Sequence, residues 1–160
     1  MNLNFKHNPK EKLSIKLEID INPPAHSEFE LKYLDFPTDF PVLAQALPSS
    51  FASKLHALLC RKFIKGRDWY DFLWYLRKNT TINYKHLAAA MYQSGQWENQ
   101  DLKIDQNWIR EKLEEKIKAL DWDKVKEDVR PFLNSIDRQS LKIWSSEFFI
   151  SKLKKLTIYN

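Results

Sequence analysis

The sequence predicts an α+β protein in which a β-rich first third precedes an α-helical two-thirds. Three observations carry that prediction. Residues 13–21, LSIKLEIDI, alternate strictly between apolar and polar, which is the period of a half-buried strand. After Pro48 the apolar spacing lengthens to the helical one, with Phe51, Leu55, Leu58, Leu59 and Phe63 at offsets of 0, 4, 7, 8 and 12. Helical spacing then recurs in one segment after another as far as Leu153.

Taken in order, the first strand places Leu13, Ile15, Leu17, Ile19 and Ile21 on one face and Ser14, Lys16, Glu18 and Asp20 on the other. Asn22-Pro23-Pro24 ends it, because proline lacks the N–H that a ladder needs. FELKYL, residues 29–34, reads as a second short strand. Pro37, Pro41 and Pro48 make 35–50 a loop, with one short strand near 42–46. Ser49 or Ser50 is the expected N-cap of the first helix. Gly66 stops that helix, and a second starts near Asp68 with Trp69, Phe72, Leu73 and Leu76 on its buried side, so the two form a helical hairpin. Further helices are expected over 84–93, 106–120, 123–134 and 139–153, the third of these kinked or shortened by Pro131. The natural division is a β-rich unit over 1–50 and a helical unit over 51–160.

Composition narrows the chemistry. The 160 residues include 26 Lys and Arg against 21 Asp and Glu, a net charge of +5 with the two signs interleaved, so charge alone gives only weak evidence for a nucleic-acid partner. Cys60 is the single cysteine, which excludes a disulfide framework and a cysteine metal cluster and makes a reducing cytoplasm the expected location. Two glycines, Gly66 and Gly95, are too few for a dinucleotide fingerprint or a Walker loop. No apolar run approaches membrane-spanning length, and the charged start does not read as a signal peptide. His7, His26, His56 and His86 lack metal-ligand spacing, and no serine lies in a nucleophile elbow, so hydrolase chemistry has no support.

Two constellations could carry chemistry. On the polar face of the first strand, Lys16, Glu18 and Asp20 recur at every second position; the two carboxylates could hold a magnesium ion, or the row is a solvated sheet face. In FASKLHALLCRKFIKGRDWYDFLWYL, residues 51–76, Lys54 and Arg61 lie seven apart at the margin of the apolar stripe, where cations could meet a polyphosphate. Asp68 and Asp71 share a face of the next helix with Tyr75, near a helix start that favours negative charge. A bland alternative is a capping box of Asp68 and Asp71 with Arg67 paired to one of them.

The run of KLEID, NPP, SKLHALLCR and RDWYDFLWYL, with DWDKVKEDVRPFL and LKIWSSEFF near the end, resembles the nucleotidyltransferase toxins of the abortive-infection AbiEii/AbiGii family over nearly the whole chain. The resemblance implies a partial polymerase-β-type nucleotidyltransferase sheet followed by a C-terminal α-helical bundle, in a toxin–antitoxin system. It implies transfer of a nucleotidyl group from a nucleoside triphosphate, with Mg²⁺, to an acceptor such as tRNA, and a cognate antitoxin as partner. Carried onto this sequence, Asp20 or Glu18 becomes the third acidic residue of the metal site and Lys54 meets the triphosphate. Asp68 or Asp71 completes the cleft, with Lys16, Arg61 and Arg67 in support. The family's Gly-Ser loop and paired aspartates have no counterpart before Leu13, and the only aspartates spaced like that pair, Asp121 and Asp123, read as capping residues. The sequence therefore reads as beginning partway through the sheet, which leads to two expectations: transfer by this polypeptide alone is weak or absent, and the exposed sheet edge favours self-association. The competing reading is a non-catalytic helical module that binds RNA or an antitoxin.

Overall fold

The computed structural model describes residues 17–157. Two strands, β1 (Phe29–Leu34) and β2 (Phe40–Gln45), form an antiparallel hairpin with Phe29 opposite Gln45 and Leu34 opposite Phe40. Seven α-helices follow: α1 (Leu47–Cys60), α2 (Gly66–Arg77), α3 (Tyr84–Gln93), α4 (Gln106–Ala119), α5 (Trp122–Val129), α6 (Ser135–Ser140) and α7 (Ser146–Leu153). The α+β class is as the sequence predicts. None of the described helices is long and apolar enough to cross a membrane.

The first predicted strand is not formed over its described part. Residues 17–20 are irregular, and Leu17, Ile19 and Ile21 all face solvent. A strand needs a neighbour to take its backbone hydrogen bonds, and among the described residues the ladder joins β1 and β2 alone. The chain from Asn22 to Glu28 instead runs along α3 and reaches the start of α1. Gln93 Nε2 donates to Asn22 O (2.6 Å), Asn83 Nδ2 to His26 O (2.9 Å), and Glu28 N–H to Ser49 Oγ (2.9 Å). His86 is buried here. Its Nδ1 lies 2.9 Å from Ala25 O, a carbonyl that only accepts, so Nδ1–H donates to it, and Nε2 lies 3.0 Å from Ser53 Oγ.

The first helix starts earlier than either serine. Ala46 is its N-cap and makes no side-chain cap bond, while Pro48 occupies the first turn, where its missing N–H costs nothing. The two expected caps bond elsewhere, Ser49 as acceptor for Glu28 and Ser50 as donor to Gln45 Oε1. The helix ends at Cys60, so Phe63 falls in the turn and is exposed. Gly66 opens α2. A Cβ there would meet Val125 O at 2.2 Å, so the absence of a side chain is what lets α2 lie against α5.

The core is one cluster from α1 to the final turn, with an aromatic centre. Phe149 of α7 stacks on Trp122 of α5 at 4.2 Å and meets Trp69 of α2 edge-on at 5.4 Å and Trp144 at 5.1 Å. Trp122 Nε1 donates to Ile117 O (3.1 Å) and Ser146 Oγ (3.0 Å), so its one polar atom is satisfied inside the core. The fifth helix stops at Val129 and Pro131 lies in a following 3-10 turn, which is the shortening foreseen. The predicted long last helix is broken instead. A 3-10 turn at Leu141–Ile143 is followed by a fresh start at Ser145, whose side chain caps Phe148 N–H.

Candidate functional site

Lys54 stands on one side of α1, and Arg61, seven residues on, is the C-cap just beyond the last turn, in extended backbone, rather than on the helix face that the spacing predicts. Asp68 and Asp71 stand on one side of α2 because residues three apart are neighbours on a helix surface. The five-residue turn 61–65 folds α2 back against α1, and the two sides meet. Lys54 Nζ bonds Asp68 Oδ1 at 2.9 Å and Asp71 Oδ2 at 2.8 Å, and Arg61 Nη1 bonds Asp68 Oδ2. Further along the same seam Tyr75 stacks on Phe51, ring centroids 4.7 Å apart.

Asp68 is therefore not a cap. Lys65 holds the N-cap position without a side-chain bond, and Gly66 N–H donates to Asp128 Oδ2 of α5 at 2.7 Å. Asp68 lies in the first turn, buried, with one cation on each oxygen. Arg67 pairs with neither aspartate: its guanidinium sits 4.1 Å from the ring centroid of Phe132.

The cluster has a closed side and an open side. The Asp68 side chain is 6% exposed, whereas that of Asp71 is 46% exposed. Burial pulls the Lys54 pKa down, but hydrogen bonds to Asp71 and Asp68 and the charges of both carboxylates more than offset it, so the pKa lies above the ordinary lysine value. The ammonium is thus held charged between the two carboxylates, which take two of its three donors. Burial also raises the Tyr75 pKa, with the Asp71 charge adding to it and the Lys54 charge opposing it.

The strand residues do not join this group through any described contact. Glu18 and Asp20 are exposed, Asp20 Oδ1 accepts from Asn22 N–H at 2.9 Å, and the chain that follows runs along α3 rather than the α1–α2 seam. Lys16 lies outside the described residues. Among the described residues no three His, Cys, Asp or Glu side chains gather to hold a metal ion. The buried carboxylate that could contribute already has an ammonium and a guanidinium on its two oxygens, so the described residues do not fit a magnesium shell.

Sequence reasoning brought forward Lys54, Arg61, Asp68 and Asp71, and these four come together. It missed Asp128, whose contact with Gly66 spans 62 positions, and His86 as the anchor of the arm at 22–28. No local pattern announces either. Asp121 does cap α5, accepting from Asp123 N–H and Lys124 N–H, in line with its reading as a capping residue. A family model described as nucleotidyl transferase AbiEii toxin, type IV TA system, matches residues 1–150. No curated protein and no solved structure matches the chain.

Proposed function

We propose, from the premise that the chain belongs to the AbiEii nucleotidyl transferase toxin family, that the α1–α2 seam is the triphosphate-holding wall of a nucleotidyl-transfer site. Membership makes the chain a toxin component of a type IV toxin–antitoxin system. The nucleoside triphosphate as donor, an RNA such as tRNA as acceptor, and an antitoxin protein as partner complete the proposal.

The observation that supports it is Lys54. This lysine is held by two carboxylates and stays protonated, and one of the two, Asp71, is nearly half exposed, so the group is open to solvent on that side. An ammonium held in this way is a point-charge partner for a phosphate oxygen. Asp68 fixes its position, and Arg61 balances the second oxygen of Asp68 so that no buried charge is left over.

In-line transfer also needs groups that activate the acceptor and steady the leaving oxygens. The described residues supply holding and orientation but no paired carboxylates for that second task. A polypeptide of these 160 residues, incubated with labelled nucleoside triphosphates, Mg²⁺ and total RNA, is expected to transfer little or no label. Robust labelling would overturn that expectation.

A contact module is the second reading, and one observation favours it. Phe29, Leu31, Tyr33, Pro41 and Leu43 share one face of the hairpin by the strand register, and all are exposed. Such a module has no use for a triphosphate, so triphosphate affinity separates the two readings.

A further inference from the structure

The hairpin and the segment before the arm each lack what the other has. The hairpin is a two-stranded sheet, and two strands alone are marginal in water without a third strand or a helix against them. Ala46 N–H donates to Glu28 O at 2.9 Å, which fixes the alternation along the ladder. Glu30, Lys32 and Leu34 therefore bond inward to β2, and Phe29, Leu31 and Tyr33 turn their N–H and C=O groups to the outer edge of β1. The outer edge of β2 is the poorer one, because Pro41 stands on it without a donor. Among the described residues no third strand takes the β1 edge. Its three outward residues also show their side chains to solvent, with Leu43 of β2 on the same face.

Residues 13–21 alternate like a strand, and Leu17, Ile19 and Ile21 are 83%, 77% and 93% exposed, outside the described ladder. Within one copy the arm holds this segment away from the hairpin. α3 pins the arm through Gln93 on Asn22 O and Asn83 on His26 O, positions about 15 Å apart at 1.5 Å of rise per residue. Asn83 also donates to Ser49 Oγ, the oxygen that accepts Glu28 N–H just before β1. Ile21 thus leaves at one end of α3 while β1 starts at the other. A second copy is free of that tether. Leu17, Ile19 and Ile21 with Phe29, Leu31, Tyr33 and Leu43 offer roughly 900 Å² of mostly apolar surface per copy, against the ~800 Å² per partner of a stable interface.

We propose that the chain forms a closed dimer by exchange, residues 17–21 of each copy adding as a third strand to the β1 edge of the other. Main-chain bonds to Phe29, Leu31 and Tyr33 hold the added strand, and its alternation sets Leu17, Ile19 and Ile21 on the sheet face of those three side chains. Glu18 and Asp20 then fall on the opposite face, with Glu30 and Lys32. Two-fold symmetry makes the two additions identical, so assembly stops at two copies. Nothing in this dimer depends on the α1–α2 seam or on nucleotidyl transfer.

Light scattering and sedimentation of the full chain over a range of concentrations test the proposal, and the mass of a dimer is expected. Ile19→Lys in the segment and Leu31→Lys in the edge strand alter side chains already exposed in a single copy. Each variant keeps the helix content seen by circular dichroism and weakens the dimer tenfold or more, while Lys54→Met leaves it within twofold. Mixed in equal amounts, the two variants associate more tightly than either alone, because an intact segment then meets an intact edge. A monomer at every concentration overturns the proposal, and so does a dimer indifferent to Ile19→Lys, whose contact lies elsewhere. A mixture without that gain also overturns it, since hairpin faces stacked without exchange behave in that way, and masses that grow past the dimer overturn the closed exchange. Failure of the Lys54 reading has a different signature, a triphosphate affinity indifferent to Lys54→Met, and leaves these masses unchanged.

Discussion

Asp68 is the residue on which the seam depends, because it is buried and holds two cations at once. Asp68→Ala leaves the part-buried Lys54 and Arg61 facing each other without the carboxylate between them, and is expected to cost about 3 kcal/mol in urea unfolding. Asp71 is nearly half exposed, so water compensates much of its loss, and Asp71→Ala is expected to cost less than about 1 kcal/mol. A cost for Asp71→Ala equal to that of Asp68→Ala would contradict the closed-side, open-side description. Lys54 adds a pH signature. Its folded pKa is raised above 10.5, so its contribution is fully present below that value and disappears as the pH climbs through the folded pKa. Unfolding free energy should fall over that alkaline window in the parent chain, and the fall should be smaller in Lys54→Met.

At the scale of elements, what the sequence revealed was local. β1 and α3 occupy the predicted spans because their signals lie within the segment: alternation between turn residues for one, and Asn83 accepting His86 N–H at the head of an apolar repeat for the other. The sharing of one face by Asp68 and Asp71 was equally legible, since helical spacing fixes it, whereas Arg61 reaches Asp68 from the turn after α1. What escaped depended on distant partners. Residues 17–21 alternate like a strand, yet pairing needs a second strand and alternation cannot report whether one is near. Asp68 had the sequence of a cap, but α1 offered it Lys54 and the turn after α1 offered it Arg61. The start of α2 is finished by Asp128 from α5, and by Gly66 because Val125 O lies in the way of any side chain. Gly66→Ala therefore forces α2 and α5 apart and should cost about 2–3 kcal/mol. A melting temperature unchanged in that variant would show that the two helices do not lie this close.

For the whole molecule, the aromatic centre of Trp69, Trp122, Trp144 and Phe149 locks α2, α5 and α7 together, and the α1–α2 seam is held on that rigid base. Ligand groups mounted on packed helices keep their aim better than groups on loops, and Lys54 and Asp68 are mounted in this way. The hairpin and the stretch before it contribute exposed apolar surface rather than core, so stability and the proposed phosphate grip both reside in the helical part. Triphosphate affinity measured by calorimetry on the full chain and on Lys54→Met tests the central claim most directly. The parent chain should bind a nucleoside triphosphate at least tenfold more tightly than the variant, the loss expected for one charge-assisted hydrogen bond of about 1.5–3 kcal/mol. Equal affinities in two equally folded proteins would contradict it.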